Sequence, residues 1–390
     1  MSAQFLHTAD WQVGKPFAGI EDVHKRSLVQ QERINVIQRI GDAAREQRAE
    51  FVLVAGDLFD STGATKATVS AACSAIGQMD LPVIAIPGNH DHGGPGSIWE
   101  QAFFQRERAS LAPNLRVLLL QEPLELETAV IFPCPLLRRA ESSDPTAWLR
   151  SVDLPVDAFG GKPRIVLAHG SSQGFGAVPD DDEGNADITN QLDLSKIAAQ
   201  PFDFIALGDW HGTKQVGPKA WYAGTPEIDR FPKGDSNEPG HILLVVASRG
   251  EAPVVQPIGT ARIGWHQLAY DLAEDGALAR LQEAVEVLIG RRSHEDLLRL
   301  ELTGSLGIEA TTRLEQFLES LDARLLRLKL ANRTVVSPSP DEIAALTQRA
   351  SDPLIARVAT QLVARASGSD EHAAIARIAL RELHAACART

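Results

Sequence analysis

Five short apolar stretches of this chain each end abruptly in polar side chains of the kinds that bind metal ions. Runs of Val, Ile, Leu, Phe and Ala of this length predict buried strands. The polar segments begin with Asp10, Asp57, Asn89, His169 and Asp209. Strands that alternate with helices pair in parallel through right-handed crossovers. Because ligands of such sheets gather beyond the carboxyl ends of the strands, the sequence predicts one site at one edge of a sheet.

Residues 1–260 alternate between predicted strands and predicted helices or loops. The strand candidates are 4–8, 51–55, 83–86, 115–120, 129–133, 164–168, 202–207 and 241–247. Apolar residues that recur near the helical spacing predict long helices over about 22–47 and 64–79. A glycine-rich and then acidic segment, 174–185, is expected to form a surface loop.

The pattern changes near residue 260. Residues 262–332 alternate between strands and helices in a small α+β unit without candidate metal ligands at its strand ends. The Ser-Pro-Ser-Pro sequence at 337–340 then breaks the chain, and three helical stretches follow it. The sequence therefore predicts three parts, which are 1–260, 261–335 and 336–390.

Composition limits the classes of protein to which the chain can belong. A net charge of −13 at pH 7 argues against whole-surface attraction to nucleic acid but does not exclude it, because bound cations would cancel part of that charge. No stretch reaches the roughly 18 uninterrupted apolar residues of a membrane span, and no secretory leader is visible. The three cysteines are far apart and odd in number, which favours small core residues in a reducing cytoplasm over a disulfide framework.

Several strand ends that deliver Asp, Asn and His to one place are typical of two-metal phosphate chemistry. Two divalent ions about 3.5–4 Å apart can share a bridging carboxylate and clamp a phosphate. Taken singly, a Gly-Asp pair or a lone His after a strand is a weak signal. The combination in this order is specific: Asp-X-Gln at 10–12, Gly-Asp-X-X-Asp at 56–60, Gly-Asn-His-Asp at 88–91, His at the end of a strand at 169, and Gly-Asp-X-His at 208–211.

On these motifs the chain resembles the binuclear metallophosphoesterase superfamily. Within it, Leu-His-Thr-Ala-Asp-Trp at 6–11 and Ala-Gly-Asp-Leu-Phe-Asp at 55–60 resemble the DNA-repair nuclease branch of SbcD-like exonuclease subunits, and also the manganese-dependent DNA endonucleases encoded beside bacterial helicases. The resemblance covers about residues 4–260 and extends loosely over 261–332, where that branch carries a capping domain. It implies an α/β fold: a two-sheet sandwich flanked by helices, a small α+β capping domain that binds DNA, and a helical C-terminal tail.

The resemblance also implies two divalent metal ions with Asp57 bridging them. The remaining ligands would come from the other strand ends: Asp10, Gln12 and His211 for the first ion, and Asn89, His169 and Asp209 for the second. His90 would lie beside the scissile phosphate and give a hydrogen bond or a proton to the leaving oxygen. Asp91 would orient His90.

Two positions depart from the family's pattern, which has His where this chain has Gln12 and His where it has Asp209. Both changes replace a nitrogen ligand by an oxygen ligand, a neutral amide at Gln12 and a charged carboxylate at Asp209. Oxygen ligands favour Mn²⁺ or Mg²⁺ over Zn²⁺. The site is therefore expected to be functional and to bind manganese, with Mg²⁺, Fe²⁺ and Zn²⁺ as alternatives.

Three functions from different classes remain open at this point. The first is a manganese-dependent DNA nuclease in DNA repair, expected to act as an endonuclease on single strands, or else as an SbcD-like exonuclease subunit. Its candidate partners are a helicase, an ATPase subunit and a second copy of the chain. The second is a small-molecule phosphodiesterase or phosphatase, and the third is a noncatalytic adaptor with a decayed site. Trp210, between Asp209 and His211, either packs over the metal loops or stacks on a nucleobase.

Overall fold

The structure is a computed structural model that describes residues 1–155, 158–172, 189–198, 201–232, 238–273, 276–290, 292, 294–368 and 370–388. It divides into two compact units, Met1–Ile263 and Gly264–Thr390. The predicted surface loop at 174–185 lies outside the described residues. Among the helices that are described, none combines the length and the apolar character needed to span a membrane.

The first unit alternates strands with helices, as the sequence predicts. Its strands are β1 (Ser2–Thr8), β2 (Val52–Ala55), β3 (Val83–Ile86), β4 (Leu115–Val117), β5 (Leu124–Glu125), β6 (Val130–Cys134), β7 (Arg164–His169), β8 (Ser171–Ser172), β9 (Gln191–Leu192), β10 (Phe204–Gly208), β11 (Lys214–Gln215), β12 (Ala220–Tyr222), β13 (His241–Ser248) and β14 (Val254–Gly259). Its helices are α1 (Val23–Glu46), α2 (Lys66–Gly77), α3 (Ala102–Leu111) and α4 (Leu194–Ala198), with 3₁₀ turns at Ile98–Glu100, Ala147–Ser151 and Ala158–Gly161.

The longer strands of this unit pair into two sheets. The first has the order β14-β13-β1-β2-β3-β4, in which β1 to β4 are parallel and β13 is antiparallel to β1. The second has the order β11-β12-β10-β7-β6-β5, in which β12, β10, β7 and β6 are parallel. Parallel strands end at the same edge of a sheet, so β1, β2 and β3 end together in the first sheet and β7 and β10 in the second.

The two sheets pack face to face through a shared apolar core. Phe5, Leu53 and Ile84 of the first sheet lie in one buried cluster with Phe204 of the second. Between ring centroids, Phe5 stacks on Phe51 at 5.0 Å and meets Phe204 edge-on at 5.7 Å. Helices α1, α2 and α3 cover the other face of the first sheet through a second buried cluster. Because its strands are buried on both faces, they occur in the sequence as continuous apolar runs, and the predicted α/β sandwich flanked by helices is confirmed.

The second unit contains the strands β15 (Gly264–Leu272), β16 (Asp296–Leu306), β17 (Arg327–Asn332) and β18 (Val335–Val336). Its helices are α5 (Ala277–Ile289), α6 (Ile308–Arg324), α7 (Pro340–Thr347), α8 (Pro353–Ala366) and α9 (Glu371–Ala388). Strands β15, β16 and β17 are parallel and are joined through α5 and α6. The helices predicted for 336–390 belong to this same unit, because Leu346, Ala359 and Leu380 share a buried cluster with Ile308 of α6. All the predicted metal ligands lie in the first unit.

Candidate metal centre

The carboxyl ends of strands from both sheets deliver polar side chains to one place. In the first sheet, Asp10 follows β1, Asp57 follows β2 and Asn89 follows β3. In the second sheet, His169 is the last residue of β7 and Asp209 follows β10. The fold therefore brings together side chains from five separate segments of the chain.

Asp10, Asp57 and His169 form the centre of this group. Each offers one ligand atom, and these atoms lie within 4.8 Å of one another. All three side chains are buried. His169 Nε2 also lies 2.9 Å from Asn89 Oδ1 and 3.8 Å from Asp209 Oδ1. Carboxylate oxygens, an amide oxygen and an imidazole nitrogen at this spacing fit a divalent metal ion such as Mn²⁺ or Zn²⁺.

One hydrogen bond orients the His169 imidazole. Its Nδ1 donates to the Ala55 carbonyl oxygen at 2.7 Å, which links β7 of the second sheet to β2 of the first. A carbonyl oxygen can only accept, so Nδ1 carries a proton and Nε2 is the nitrogen that faces the carboxylates. Metal-binding histidines are commonly held through their other ring nitrogen in this way. His169 is therefore positioned to bind metal through Nε2.

Glycine is required at the turns where these segments approach each other. Gly56 has a φ of +90°, and a Cβ at this position would lie 2.2 Å from His169 Nδ1. A Cβ on Gly88 would lie 2.1 Å from Asp57 Oδ1. No side chain fits at such distances, so only glycine lets the backbone pass this close to the ligands.

Several of the predicted ligands have a backbone conformation that L-residues rarely adopt. The φ angle is 53° at Asp10, 43° at Gln12, 54° at Asp57 and 102° at Asp209. Such a conformation costs of order 1–3 kcal/mol per residue and persists only where the surroundings hold it. Here the backbone N–H of Asp10 donates to Gly56 O at 3.1 Å and that of Gln12 donates to Asp57 O at 2.8 Å. The loops after β1 and β2 thus hold each other in these conformations.

His90 is half-buried and lies next to Asp57. Its backbone N–H donates to Asp57 Oδ1 at 2.9 Å. Its imidazole Nδ1 donates to the Asp60 carbonyl oxygen at 2.8 Å. Because this contact keeps a proton on Nδ1, Nε2 is the ring nitrogen that can exchange a proton with a substrate.

Asp91 does not orient His90, which corrects the expectation from the sequence. The Asp91 carboxylate accepts hydrogen bonds from the backbone N–H groups of Phe59 at 3.0 Å and Gly88 at 2.8 Å. Burial, and after it the charge of a neighbouring carboxylate, raises the pKa of Asp91 to about 7. Asp91 therefore ties together the loops that follow β2 and β3, while the Asp60 carbonyl orients His90.

A second group of side chains surrounds Gln12 and His211. Gln12 Oε1 accepts a hydrogen bond from Lys15 Nζ at 2.9 Å, and Gln12 Nε2 lies 3.4 Å from His211 Nε2. The amide oxygen that the sequence suggested as a metal ligand is thus engaged by an ammonium group. Among the described His, Cys, Asp and Glu residues, His211 is not one of those whose ligand atoms cluster within 4.8 Å.

Charged residues that the sequence analysis did not identify complete this second group. Buried Asp229 places its Oδ2 2.8 Å from Lys15 Nζ and 3.0 Å from His211 Nδ1. Arg230 Nη2 lies 2.8 Å from the same His211 nitrogen. Both Asp229 and Arg230 follow β12, a strand of only 3 residues. The signal that could have found them is Gly224, which ends this apolar run as Gly56 ends β2.

Burial and charge give the two histidines different protonation states in the metal-free protein. Burial raises the pKa of Asp10 to about 8. Burial acts to lower the pKa of His169, but the charges of Asp57, Asp10 and Asp209 outweigh it and raise this pKa to about 9. Burial lowers the pKa of His211 to about 4. At neutral pH, His169 therefore carries an extra proton and His211 does not.

Comparison with known proteins gives one family and a set of distant structures. The sequence model of the calcineurin-like phosphoesterase family matches residues 3–242, which is more than half of the chain. The protein TT1561 of Thermus thermophilus is 14% identical with a TM-score of 0.38, over 67% of this chain and 100% of that protein. A dimetal phosphatase from Danio rerio is 11% identical with a TM-score of 0.36, over 65% of this chain and 98% of the phosphatase.

The glycine contact at His169 gives a direct test of the metal site. In Gly56→Ala, the new Cβ would collide with His169 Nδ1, so His169 must move away from the carboxylates. We expect the affinity for Mn²⁺, measured by isothermal titration calorimetry, to fall by roughly 10–100-fold, as it does when the support of a metal ligand is lost. The matched control is Gly63→Ala, whose Cβ would meet nothing closer than Ser61 Oγ at 3.8 Å. Equal affinities in the two variants would contradict this account of the site.

Metal binding should also release protons. A metal ion requires deprotonated ligands, and Asp10 and His169 have pKa values of about 8 and about 9. Affinity for Mn²⁺ should therefore rise as the pH increases from 6 to about 9. Calorimetry at pH 7 in buffers of different ionisation enthalpy counts the protons released, which we expect to be more than one per ion. His169→Gln should lower this count by about one. His211→Gln should leave it unchanged, because native His211 has a pKa of about 4 and carries no extra proton at pH 7.

Proposed function

Because the chain belongs to the calcineurin-like phosphoesterase family and is therefore a phosphoester hydrolase, we propose that its substrate is DNA. The proposed activity is that of a manganese-dependent nuclease which hydrolyses phosphodiester bonds as an endonuclease on single strands. The main observation in support of this reaction is the buried cluster of Asp10, Asp57 and His169, with His90 beside Asp57. A candidate metal-binding group beside a candidate proton donor supports this reaction.

The ligands nearest to one another favour manganese. Asp10, Asp57 and Asp209 offer carboxylate oxygens, Asn89 offers an amide oxygen, and His169 offers one imidazole nitrogen. Oxygen-rich sites with few nitrogen ligands suit Mn²⁺ and Mg²⁺ better than Zn²⁺. When bound, divalent ions supply Lewis-acid stabilisation of the phosphoryl oxygens and lower the pKa of water.

His90 is proposed as the residue that assists the leaving group. Its Nδ1 donates to the Asp60 carbonyl oxygen at 2.8 Å, which fixes the orientation of the ring and makes Nε2 the nitrogen proposed to act on the substrate. The leaving oxygen of a phosphodiester develops negative charge as the bond to phosphorus breaks. A histidine that donates a hydrogen bond or a proton to this oxygen lowers the barrier.

Support for DNA as the substrate comes from residues beside the cluster. The half-buried ring of Trp210 follows Asp209 directly, and Lys214 Nζ lies 5.4 Å from its centroid. The Trp210 ring packs against the apolar core of the second sheet, and the Lys214 ammonium over it adds a positive charge that suits a phosphate group. Arg230 adds a second positive charge near the site, although the chain as a whole has a net charge of −13.

The more specific parts of the proposal rest on the resemblance of segments 6–11 and 55–60 to DNA-repair nucleases. They are a role in DNA repair in the cytoplasm, a helicase or an ATPase subunit as partner, and assembly with a second copy of the chain. In the alternative function, that of an SbcD-like exonuclease subunit, the ATPase is an obligatory partner.

A small-molecule phosphodiesterase or phosphatase is the second candidate function. The net charge of −13 favours it, because a polyanion such as DNA is repelled by an acidic surface. The two candidates differ in their dependence on salt. Binding of DNA releases counterions and weakens steeply as salt increases, whereas binding of a small ester changes little.

A substrate test separates these functions. Purified protein with Mn²⁺ should cut closed circular single-stranded DNA, which only an endonuclease can do, and should do so more slowly with Mg²⁺. Asp57→Asn should abolish cleavage, because it removes the carboxylate at the centre of the cluster. Asp42→Asn is the matched control, since the Asp42 side chain is 61% exposed on α1. Cleavage of a linear duplex but not of the circle would favour the alternative function, an exonuclease. Equal cleavage by Asp57→Asn and the unmodified protein would reject the proposed site.

The role of His90 can be tested through the leaving group. His90→Gln should slow cleavage of a DNA phosphodiester by roughly 10²–10⁴-fold, the range expected for loss of a general acid. The same variant should lose much less with a nitrophenyl phosphodiester of thymidine, because a nitrophenolate leaves without being protonated. Mn²⁺ affinity should be unchanged. An equal loss on both substrates would show that His90 does not assist the leaving oxygen.

A further inference from the structure

Charge is distributed unevenly around the metal centre. His169 Nε2 faces the carboxylate of Asp57 at 3.6 Å and that of Asp209 at 3.8 Å. His211 is contacted instead by the guanidinium of Arg230, and its neighbour Gln12 is contacted by the ammonium of Lys15. A cation is attracted to the first of these surroundings and repelled by the second.

The orientation of the Gln12 amide follows from its partners. A lysine ammonium can only donate, so the amide oxygen must be the atom that faces Lys15, at 2.9 Å. The amide NH₂ is then the group that faces His211 Nε2, at 3.4 Å. Lys15 Nζ is in turn fixed by Asp229 Oδ2 at 2.8 Å, and the Lys15 side chain is only 15% exposed. Gln12 is therefore held in an orientation that offers donors, rather than an oxygen, to the His211 side.

The contacts of His211 also oppose the binding of a metal ion beside Gln12. His211 Nδ1 lies 3.0 Å from Asp229 Oδ2, which can only accept, and 2.8 Å from Arg230 Nη2, which can only donate. A metal ion beside Gln12 would need the lone pair of the other ring nitrogen, Nε2. The donors that lie near it are Gln12 Nε2 at 3.4 Å and Arg230 Nη2 at 3.3 Å.

We propose that the two metal positions of this chain are unequal, and that Lys15 and Arg230 make the position beside Gln12 and His211 the weaker one by at least about 10-fold. To bind there, a metal ion must turn the Gln12 amide or share its oxygen with the Lys15 ammonium, displace Arg230 from His211 and remain near both cations. Changes in the residues that support metal ligands alter affinity by roughly 10–100-fold. This inference rests on the metal dependence in the proposed function and is independent of the substrate.

The experiment is a titration of the metal-free protein with MnCl₂, followed by calorimetry and by electron paramagnetic resonance. The unmodified chain should bind one Mn²⁺ tightly and a second at least about 10-fold more weakly, and the signal at one equivalent should be that of an isolated ion. Lys15→Met should tighten the second site by roughly 10–100-fold, and spin coupling between two ions should then appear at two equivalents. Lys196→Met is the matched control, because it removes the same charge from a side chain that is 59% exposed.

Gln12→His provides a second variant in case Lys15→Met prevents folding, because the loss of Lys15 removes a positive charge that neutralises the buried carboxylate of Asp229. An imidazole cannot be held by Lys15 through an oxygen, so this variant should also tighten the second site. Two equal sites in the unmodified chain would overturn the inference, and so would no change in either variant beyond that of Lys196→Met. Metal binding is measured without substrate, so failure to cleave DNA would reject the proposed substrate and leave this result unaffected.

Discussion

The hydrogen bond from His169 Nδ1 to the Ala55 carbonyl oxygen, 2.7 Å long, is the contact on which the metal centre depends. It joins the end of β7 to the end of β2, and so brings the ligands of the second sheet to those of the first. The contact is possible because a Cβ on Gly56 would lie 2.2 Å from His169 Nδ1 and one on Gly208 would lie 1.9 Å from Ala55 O. Small residues on both sides of the Ala55 carbonyl therefore hold the two sheets at the distance that the site requires.

The same packing creates an electrostatic cost that a bound metal ion would relieve. Burial raises the pKa of Asp10 to about 8, and the surrounding carboxylates raise the pKa of His169 to about 9 against the effect of burial. The opposite holds at Asp229, where His211, Lys15 and Arg230 outweigh burial and hold the pKa well below its usual range. Carboxylates are thus concentrated on one side of the centre, whereas cations neutralise the carboxylate on the other side. This difference in charge is the basis for the proposed difference in metal affinity between the two sides.

Much of the first unit could be predicted from the sequence, because strands buried on both faces give continuous apolar runs. The run 83–86 matches β3 at both ends, and 51–55 differs from β2 by one residue. Strand β12 was missed because three residues are too few to give a pattern. The residues that follow it, Asp229 and Arg230, were missed with it, although they contact a predicted ligand.

The sequence by itself determined which residue types stand at the ends of the strands, because apolar runs, glycines and polar side chains follow one another directly along the chain. Only the tertiary structure decided which partners those side chains have. Asp91 is next to His90 in sequence, yet the Asp60 carbonyl orients the imidazole, because adjacent residues of a turn point in different directions. Lys15 and Asp229 are 214 positions apart, and their contact exists only because β1 and β12 end near the same place. Long-range packing therefore fixed the charges around the candidate metal centre, whereas the local sequence fixed the residue types of its candidate ligands.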